Sequence, residues 1–470
     1  MDSFLLVIIK VNMFAHFGVS KCITSSSKMT PGGAFYAGVM QKRGSMTERV
    51  QCNTEGCNHQ ILAATAERTG GYCMPCVQAK KRADNERFIR ENRKDVDLFQ
   101  GVTDPVEIIR LHHTKHERDP LIRYMPFKGS IEQIYQSLSE FDEARLVEIS
   151  IREAEKGNLD FIEYACLELA AFRRPNYSKL HKYMVKKRIY YPALIFKDAS
   201  EDIVQGLLDN LEIDNDNANH ILLCLAWAGG EKVLKAFSSW QQQAPAWSSS
   251  LYIPPQDYSK DAGWQVLPNG GARKLYFETC FPLLPKETNS VENLAHIFTP
   301  SDELCGWCRR RLVNFLELDI TCNTLDFLGL SVKKLTLSSC QVCACYSDAV
   351  FMEFDSEGNS FWSKYNDKPD YLPDEGEEWE TLPEDCLVLS SNPRPASYAA
   401  NEFLPTTYSQ VGGMPTWIQD FAYPDCPSCG NTMKFIAQIS NEDIMDYGEG
   451  TYYMYICSGC GISATNYQQT

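Results

Sequence analysis

Six short-spaced pairs of cysteines constrain this chain before any other feature does. They are Cys52 and Cys57, Cys73 and Cys76, Cys305 and Cys308, Cys340 and Cys343, Cys426 and Cys429, and Cys457 and Cys460. Two thiolates a turn apart can take two corners of a tetrahedral metal ion, and a second pair supplies the other two. Taken in chain order, the pairs predict three structural zinc sites, each closed by four cysteines. The third group carries the chain's clearest ribbon pattern, with Cys426-Pro427-Ser428-Cys429 and Cys457-Ser458-Gly459-Cys460 flanking strand-like segments. One ligand is ambiguous, because Cys345 lies close enough to replace Cys340 or Cys343. His59 lies beside the first group but breaks its spacing. The chain has 19 cysteines in all. Their clustering into pairs, with long cysteine-poor stretches between, fits metal sites in a reducing compartment better than a disulfide framework, so a cytoplasmic protein is expected. Cys166 and Cys224 fall on apolar helix faces and read as core, and Cys280 and Cys322 as packing residues.

Between and beyond the pairs the chain divides into four parts. Residues 1–45 show no periodicity and read as a disordered leader or a mis-assigned start. The run Phe4–Ile9 is too short to span a bilayer and lacks the flanks of a signal peptide. Residues 46–83 read as a zinc ribbon. Residues 84–285 read as helical. Asp104-Pro105-Val106-Glu107 has a capping aspartate, a proline in the first turn and a glutamate three on, and Ser130 with Gln133 has the spacing of a capping box. Apolar residues then recur at helical spacing, as in Ile131, Ile134, Tyr135 and Leu138, and in Ile221, Leu222 and Leu225. Short helices separated by turns predict stacked pairs like a HEAT solenoid. Residues 286–470 read as mostly β, with two ribbon-like zinc sites. The expected class is therefore α+β and multidomain.

Charge narrows the partners. At −16 overall and pI 5.1, the chain repels nucleic acid on average, because phosphate binding needs local Lys and Arg. Lys80-Lys81-Arg82 and Lys186-Lys187-Arg188 are local exceptions, and interleaved acids make a solvated helix face the default for the first. Residues 351–386 hold twelve acidic side chains against Lys364 and Lys368, with Trp362, Tyr365, Tyr371 and Trp379 among them. That composition reads either as a solvated loop or as a contact surface for a basic partner. His112 and His116, four apart, could share a helix face and a metal, but ordinary surface histidines are the simpler expectation. No Walker loop, G-x-S-x-G elbow or G-x-G-x-x-G turn is present. No catalytic residues are therefore assigned.

The segment from Val411-Gly412-Gly413-Met414-Pro415-Thr416-Trp417-Ile418-Gln419, through Met433 to Ile439 and Gly448-Glu449-Gly450, to Tyr452–Ile456 resembles the YwqG-like domain of bacteria. The knuckles are similar, more distantly, to those of the eukaryotic programmed-cell-death-protein-two and ribosomal-RNA-processing families. The resemblance covers the last third of the chain and implies an interaction domain. Composites of this kind resemble immunity proteins of polymorphic, Rhs-type toxin systems. It implies a monomer that neutralises a cognate toxin domain in a one-to-one complex, with no enzymatic activity and no membrane or nucleic-acid partner. The alternative is a zinc-ribbon protein that binds RNA or assists ribosome assembly.

Overall fold

The computed structural model describes residues 48–286, 294–373, 382–384, 386–400, 408–445 and 448–469. The expected leader, 1–45, lies outside them, as do residues 374–381 and 385 of the acidic stretch. The chain forms two compact units. The first comprises the described residues up to Gln100 together with His116–Pro126. The second comprises Gly101–Lys115 and the chain from Phe127 on.

In the first unit, β1 (Arg49–Gln51) and β2 (Gln60–Leu62) form an antiparallel hairpin. Helix α1 (Ala63–Thr69) and helix α2 (Met74–Asn92) follow. The ribbon's expected end at residue 83 falls inside α2. The short strands β3 (Lys94–Val96) and β4 (Ile122–Tyr124) pair in parallel. The core of this unit is small: Cys52, Ile61 and Cys73 are buried, with Val50, Ala66 and Tyr72 packed against them. So small a core is a weak hold on a fold by itself.

The second unit opens with helices. These are α3 (Pro105–His113), α4 (Ile131–Ser137), α5 (Glu140–Glu155), α6 (Leu167–Phe172), α7 (Ser178–Lys187), α8 (Glu201–Ile213), α9 (Ala218–Ala228) and α10 (Gly230–Gln242). Several starts are where the side chains call for them. Asp104 Oδ1 accepts from Val106 N at 3.1 Å, Ser130 Oγ from Gln133 N at 3.2 Å, and Ser139 with Asp142 forms a capping box. The helices bury Ile109, Tyr135, Leu146, Leu169, Leu207, Leu222 and Phe237. The regular helix pairing of a HEAT solenoid is not shown. Lengths run from 6 residues in α6 to 16 in α5, and a π-helical turn, Phe161–Cys166, runs straight into α6.

The β part follows. A small hairpin, β5 (Trp264–Val266) and β6 (Ala272–Lys274), leads into β7 (Phe277–Pro285), β8 (Ala295–Leu304), β9 (Arg311–Asp319) and β10 (Lys334–Ser339). Then come β11 (Val350–Phe354), β12 (Ser360–Trp362), β13 (Leu387–Leu389), β14 (Gln410–Gly413), β15 (Lys434–Ser440), β16 (Thr451–Cys457) and β17 (Ile462–Gln468). Strands β10-β9-β8 form one antiparallel sheet. A second antiparallel sheet has the order β12-β11-β17-β16-β15-β14-β7-β13. The expected domain start at residue 286 needs correcting, because β7 ends at Pro285 and sits between β14 and β13. The helical and β parts are also packed together. Trp264 stacks on Phe237 with ring centroids 5.6 Å apart and donates to Ala226 O, and Phe172 meets Tyr398.

The larger sheet is covered on both faces. Tyr452, Met454 and Ile456 of β16 face the three-stranded sheet, where Phe315 lies 4.7 Å from the Tyr452 ring. Tyr453 and Tyr455 face the other way, against Phe435, Trp417 and Tyr423. Burial on both sides explains why β16 reads as a continuous apolar run and not as the alternation expected from a half-solvated strand.

Candidate metal centres

The twelve predicted cysteines come together as three groups of four: Cys52, Cys57, Cys73 and Cys76; Cys305, Cys308, Cys340 and Cys343; and Cys426, Cys429, Cys457 and Cys460. Each group is built from two turns that local structure presents to each other.

In the first group, Cys52 follows β1 and Cys57 precedes β2. Cys73 is the N-cap of α2 and Cys76 lies in its first turn, with Pro75 between them. The Cys73 N–H donates to Cys52 Sγ at 3.2 Å, and Asn53 N donates to Gly71 O at 2.9 Å, which holds the two turns together. Cys57 Sγ is 3.7 Å from Cys73 Sγ. His59 lies 3.4 Å from Cys57 Sγ but stays outside the four.

The second group joins the β8–β9 turn to the end of β10. Cys305 N donates to Arg310 O and Arg309 N to Cys305 O, with Arg309 in the left-handed region at φ 61°. All four cysteines are buried in the main β core. Cys305 and Cys343 sulfurs are 3.7 Å apart, and those of Cys308 and Cys340 3.6 Å apart. Cys345 turns away: its S–H donates to Gln341 O at 3.3 Å. That places Cys340 and Cys343, and not Cys345, in the group.

The third group joins a turn closed by the Asp425–Thr432 bridge to the β16–β17 turn. Cys429 and Cys457 sulfurs are 3.8 Å apart, and Asn431 Nδ2 donates to Cys429 Sγ at 3.3 Å. Cys426 is buried while Cys429 is exposed.

These separations have a plain chemical meaning. A disulfide needs about 2.05 Å between sulfurs. Four sulfurs each about 2.3 Å from a central ion sit about 3.8 Å apart along the edges of a tetrahedron. The measured gaps match the second arrangement, so each group could hold a metal ion. In each group local donors favour charged sulfur at one cysteine. Cys52 is drawn down to about 6, first by the Cys73 backbone N–H, and Cys429 to about 7, first by that of Asn431. In the second group, hydrogen bonds from Cys340 and Cys343 pull Cys305 far down, while Cys343 is pushed up by its bonds with Cys305 and Cys340. A divalent ion entering such a group displaces the remaining protons, which ties its affinity to pH.

Cys166, Cys224 and Cys280 pack as expected, while Cys322 is only half-buried. Cys166 donates to Ser150 Oγ, Cys224 to Tyr190 O and Cys280 to Gln410 Oε1, all in buried surroundings. The histidine expectation needs correcting. His116 belongs to the first unit and stacks on Tyr124 at 4.2 Å. The residues brought together are instead His112, His113 and Glu168. His113 is no surface histidine, because its side chain is 7% exposed and Nε2 lies 2.7 Å from Tyr135 Oη. The available signal was a lone acid, Glu168, in the apolar run Leu167–Phe172.

Among the described residues, no helix is long and apolar enough to cross a membrane. No protein-family model and no solved structure matches the chain. It is 38% identical over 434 residues to the uncharacterized protein YpfL of Salmonella typhimurium strain LT2, a match that covers 90% of this chain and 100% of that protein. At that identity and coverage, the chain belongs to the family of YpfL.

Proposed function

We propose that this chain is a zinc-stapled binding protein of the cytoplasm, without enzymatic activity, that acts as an immunity protein by binding and blocking a toxin domain. The observation that carries the structural half is the set of three four-cysteine groups with sulfur gaps of 3.6–3.8 Å. Four thiolates with Zn–S bonds of about 2.3 Å suit zinc, and all-cysteine sites are closed, leaving no position for water or substrate. Such sites shape surfaces; they do not turn over substrate.

The partner half is supported by the YwqG-like resemblance of the last third and by the chemistry of one surface. Tyr346 and Tyr371 are 39% and 65% exposed, with rings 5.8 Å apart. Asp348, Asp367 and Asp370 are exposed on the same two stretches of chain. Exposed aromatics with acids suit a basic protein surface, the rings as anchors and the charges as steering groups. The test is co-expression with a toxin domain drawn from the genes that flank this one. Survival of cells is expected with the native chain and its loss with Tyr346→Ala/Tyr371→Ala. Killing that is equal with and without the native chain overturns the proposal.

A second reading, RNA binding, is favoured by α2. None of its residues is buried, and Lys80, Lys81 and Arg82 are exposed. It requires an RNA mobility shift that weakens steeply with salt, and no shift at low salt removes it.

A further inference from the structure

Glu168 is an unusual acid. Its side chain is 4% exposed, and Oε2 makes no hydrogen bond. A buried carboxylate oxygen without a donor is costly, and in a native fold it points to a partner that completes it. Beside it lie the Tyr135 hydroxyl, which bonds Glu168 and also His113 Nε2, and two imidazoles. His113 Nε2 lies 3.7 Å from Oε2. His112 precedes His113 at the end of α3, its ring edge-on to that of His113 with centroids 4.8 Å apart. One ligand atom from each of His112, His113 and Glu168 lies within 4.8 Å of the others.

Local structure aims these groups. The π-helical turn Phe161–Cys166 ends two residues before Glu168, and such turns re-aim the residues that follow and recur at functional sites. Its loosened backbone is held by Tyr177, whose hydroxyl donates to Cys166 O at 2.5 Å. His113 also walls a cavity of about 190 Å³ with Arg110, Thr114, Asn158 and Asp160.

We propose that His112, His113 and Glu168 form a further metal site, open in coordination and suited to a divalent transition ion. Two imidazoles and one carboxylate select zinc, cobalt or nickel over magnesium or calcium. Three protein ligands leave a position for water or a small ligand, unlike the closed cysteine groups. Closing on an ion asks most of His112, the exposed member of the three. The site shares no residue with the cysteine groups and does not depend on them for its chemistry.

The test is equilibrium dialysis against cobalt(II) of the full chain, first saturated with zinc and then freed of loosely held metal by gel filtration. Wild type is expected to take up one further equivalent, with visible bands and no sulfur-to-cobalt charge-transfer absorption. Glu168→Gln and His112→Ala are each expected to weaken that uptake about tenfold or more. His112 is exposed, so its variant keeps the test valid if Glu168→Gln folds poorly. No further equivalent, an equivalent with sulfur charge transfer, or wild-type uptake by folded His112→Ala overturns the proposal.

Discussion

Gln410 and Gln438 show what the Gly-Gly-x-Pro-x-Trp segment is for. Both are fully buried. Gln410 accepts from Cys280 Sγ and Arg394, and donates to Met414 O at 2.7 Å. Gln438 accepts from Thr416 N and donates to Tyr408 O, while the Tyr453 hydroxyl donates to Thr416 O. The motif is thus a set of internal hydrogen bonds that lets an irregular loop run through a core. Gly412 is part of the same device. Its φ is +73°, and a Cβ there would stand 2.1 Å from Thr279 O on the paired strand β7. Gly412→Ala should therefore cost about 3 kcal/mol, combining backbone strain with displacement of a strand. Gly157 has φ +89° with open space around it, so Gly157→Ala should cost only about 1 kcal/mol. Urea denaturation of the two variants checks the contrast; equal losses would mean that the close approach at Gly412 does not matter.

At the scale of elements, burial sets responses to pH and to loss of a ligand. His181 of α7 stacks on Phe196 and donates from Nε2 to Ile195 O at 2.8 Å. Burial holds its pKa below the ordinary value, against the smaller opposite pull of that hydrogen bond. The unfolded chain takes up the proton near pH 6.5, while the folded chain resists it until the pH is lower. Its contribution to stability is therefore present above about pH 6.5 and is lost as pH falls through the lowered folded value. The denaturation midpoint of wild type should fall more steeply between about pH 7 and 5 than that of His181→Gln; parallel profiles would refute the assignment. The cysteine groups should differ by context in the same way. Cys305 is wholly buried in the main β core and Cys429 is exposed. Cys305→Ser should remove one zinc and lower the melting temperature of the second unit. Cys429→Ser should remove one zinc with a smaller loss. Zinc quantitation with calorimetry reads both.

The same scale shows what was legible in the sequence. Knuckles and caps are local chemistry, so the cysteine pairs, Asp104 and Ser130 could be read from spacing. Strand order could not be read that way. β7 pairs with β14 about 130 residues later, Cys280 meeting Gln410 across that distance, and nothing in the apolar run Phe277–Pro285 names its neighbour. The histidines failed for the opposite reason. Helical spacing paired His112 with His116, but α3 stops at His113, and the partner in space is Glu168.

For the whole molecule, the proposal is that the three cysteine groups act as staples and that binding takes place on the surfaces they hold. Among the described residues, the first unit has only Cys52, Ile61 and Cys73 buried at its centre, so its folding should depend on metal most completely. The second unit has an extended core of its own, and should keep secondary structure after metal is lost while its β part loosens. Circular dichroism during chelation at neutral pH should show partial, not total, loss of signal; an unchanged spectrum would mean that the groups do not support the fold. The measurement that reaches the central claim most directly is titration of the native protein's thiols with a mercurial reagent. A chromogenic chelator is present from the start, so that loosely held ions are counted before the mercurial is added. Twelve clustered cysteines in groups of four predict three zinc ions released per chain as the thiols react. Release of no zinc, or of less than one ion per chain, would contradict the account.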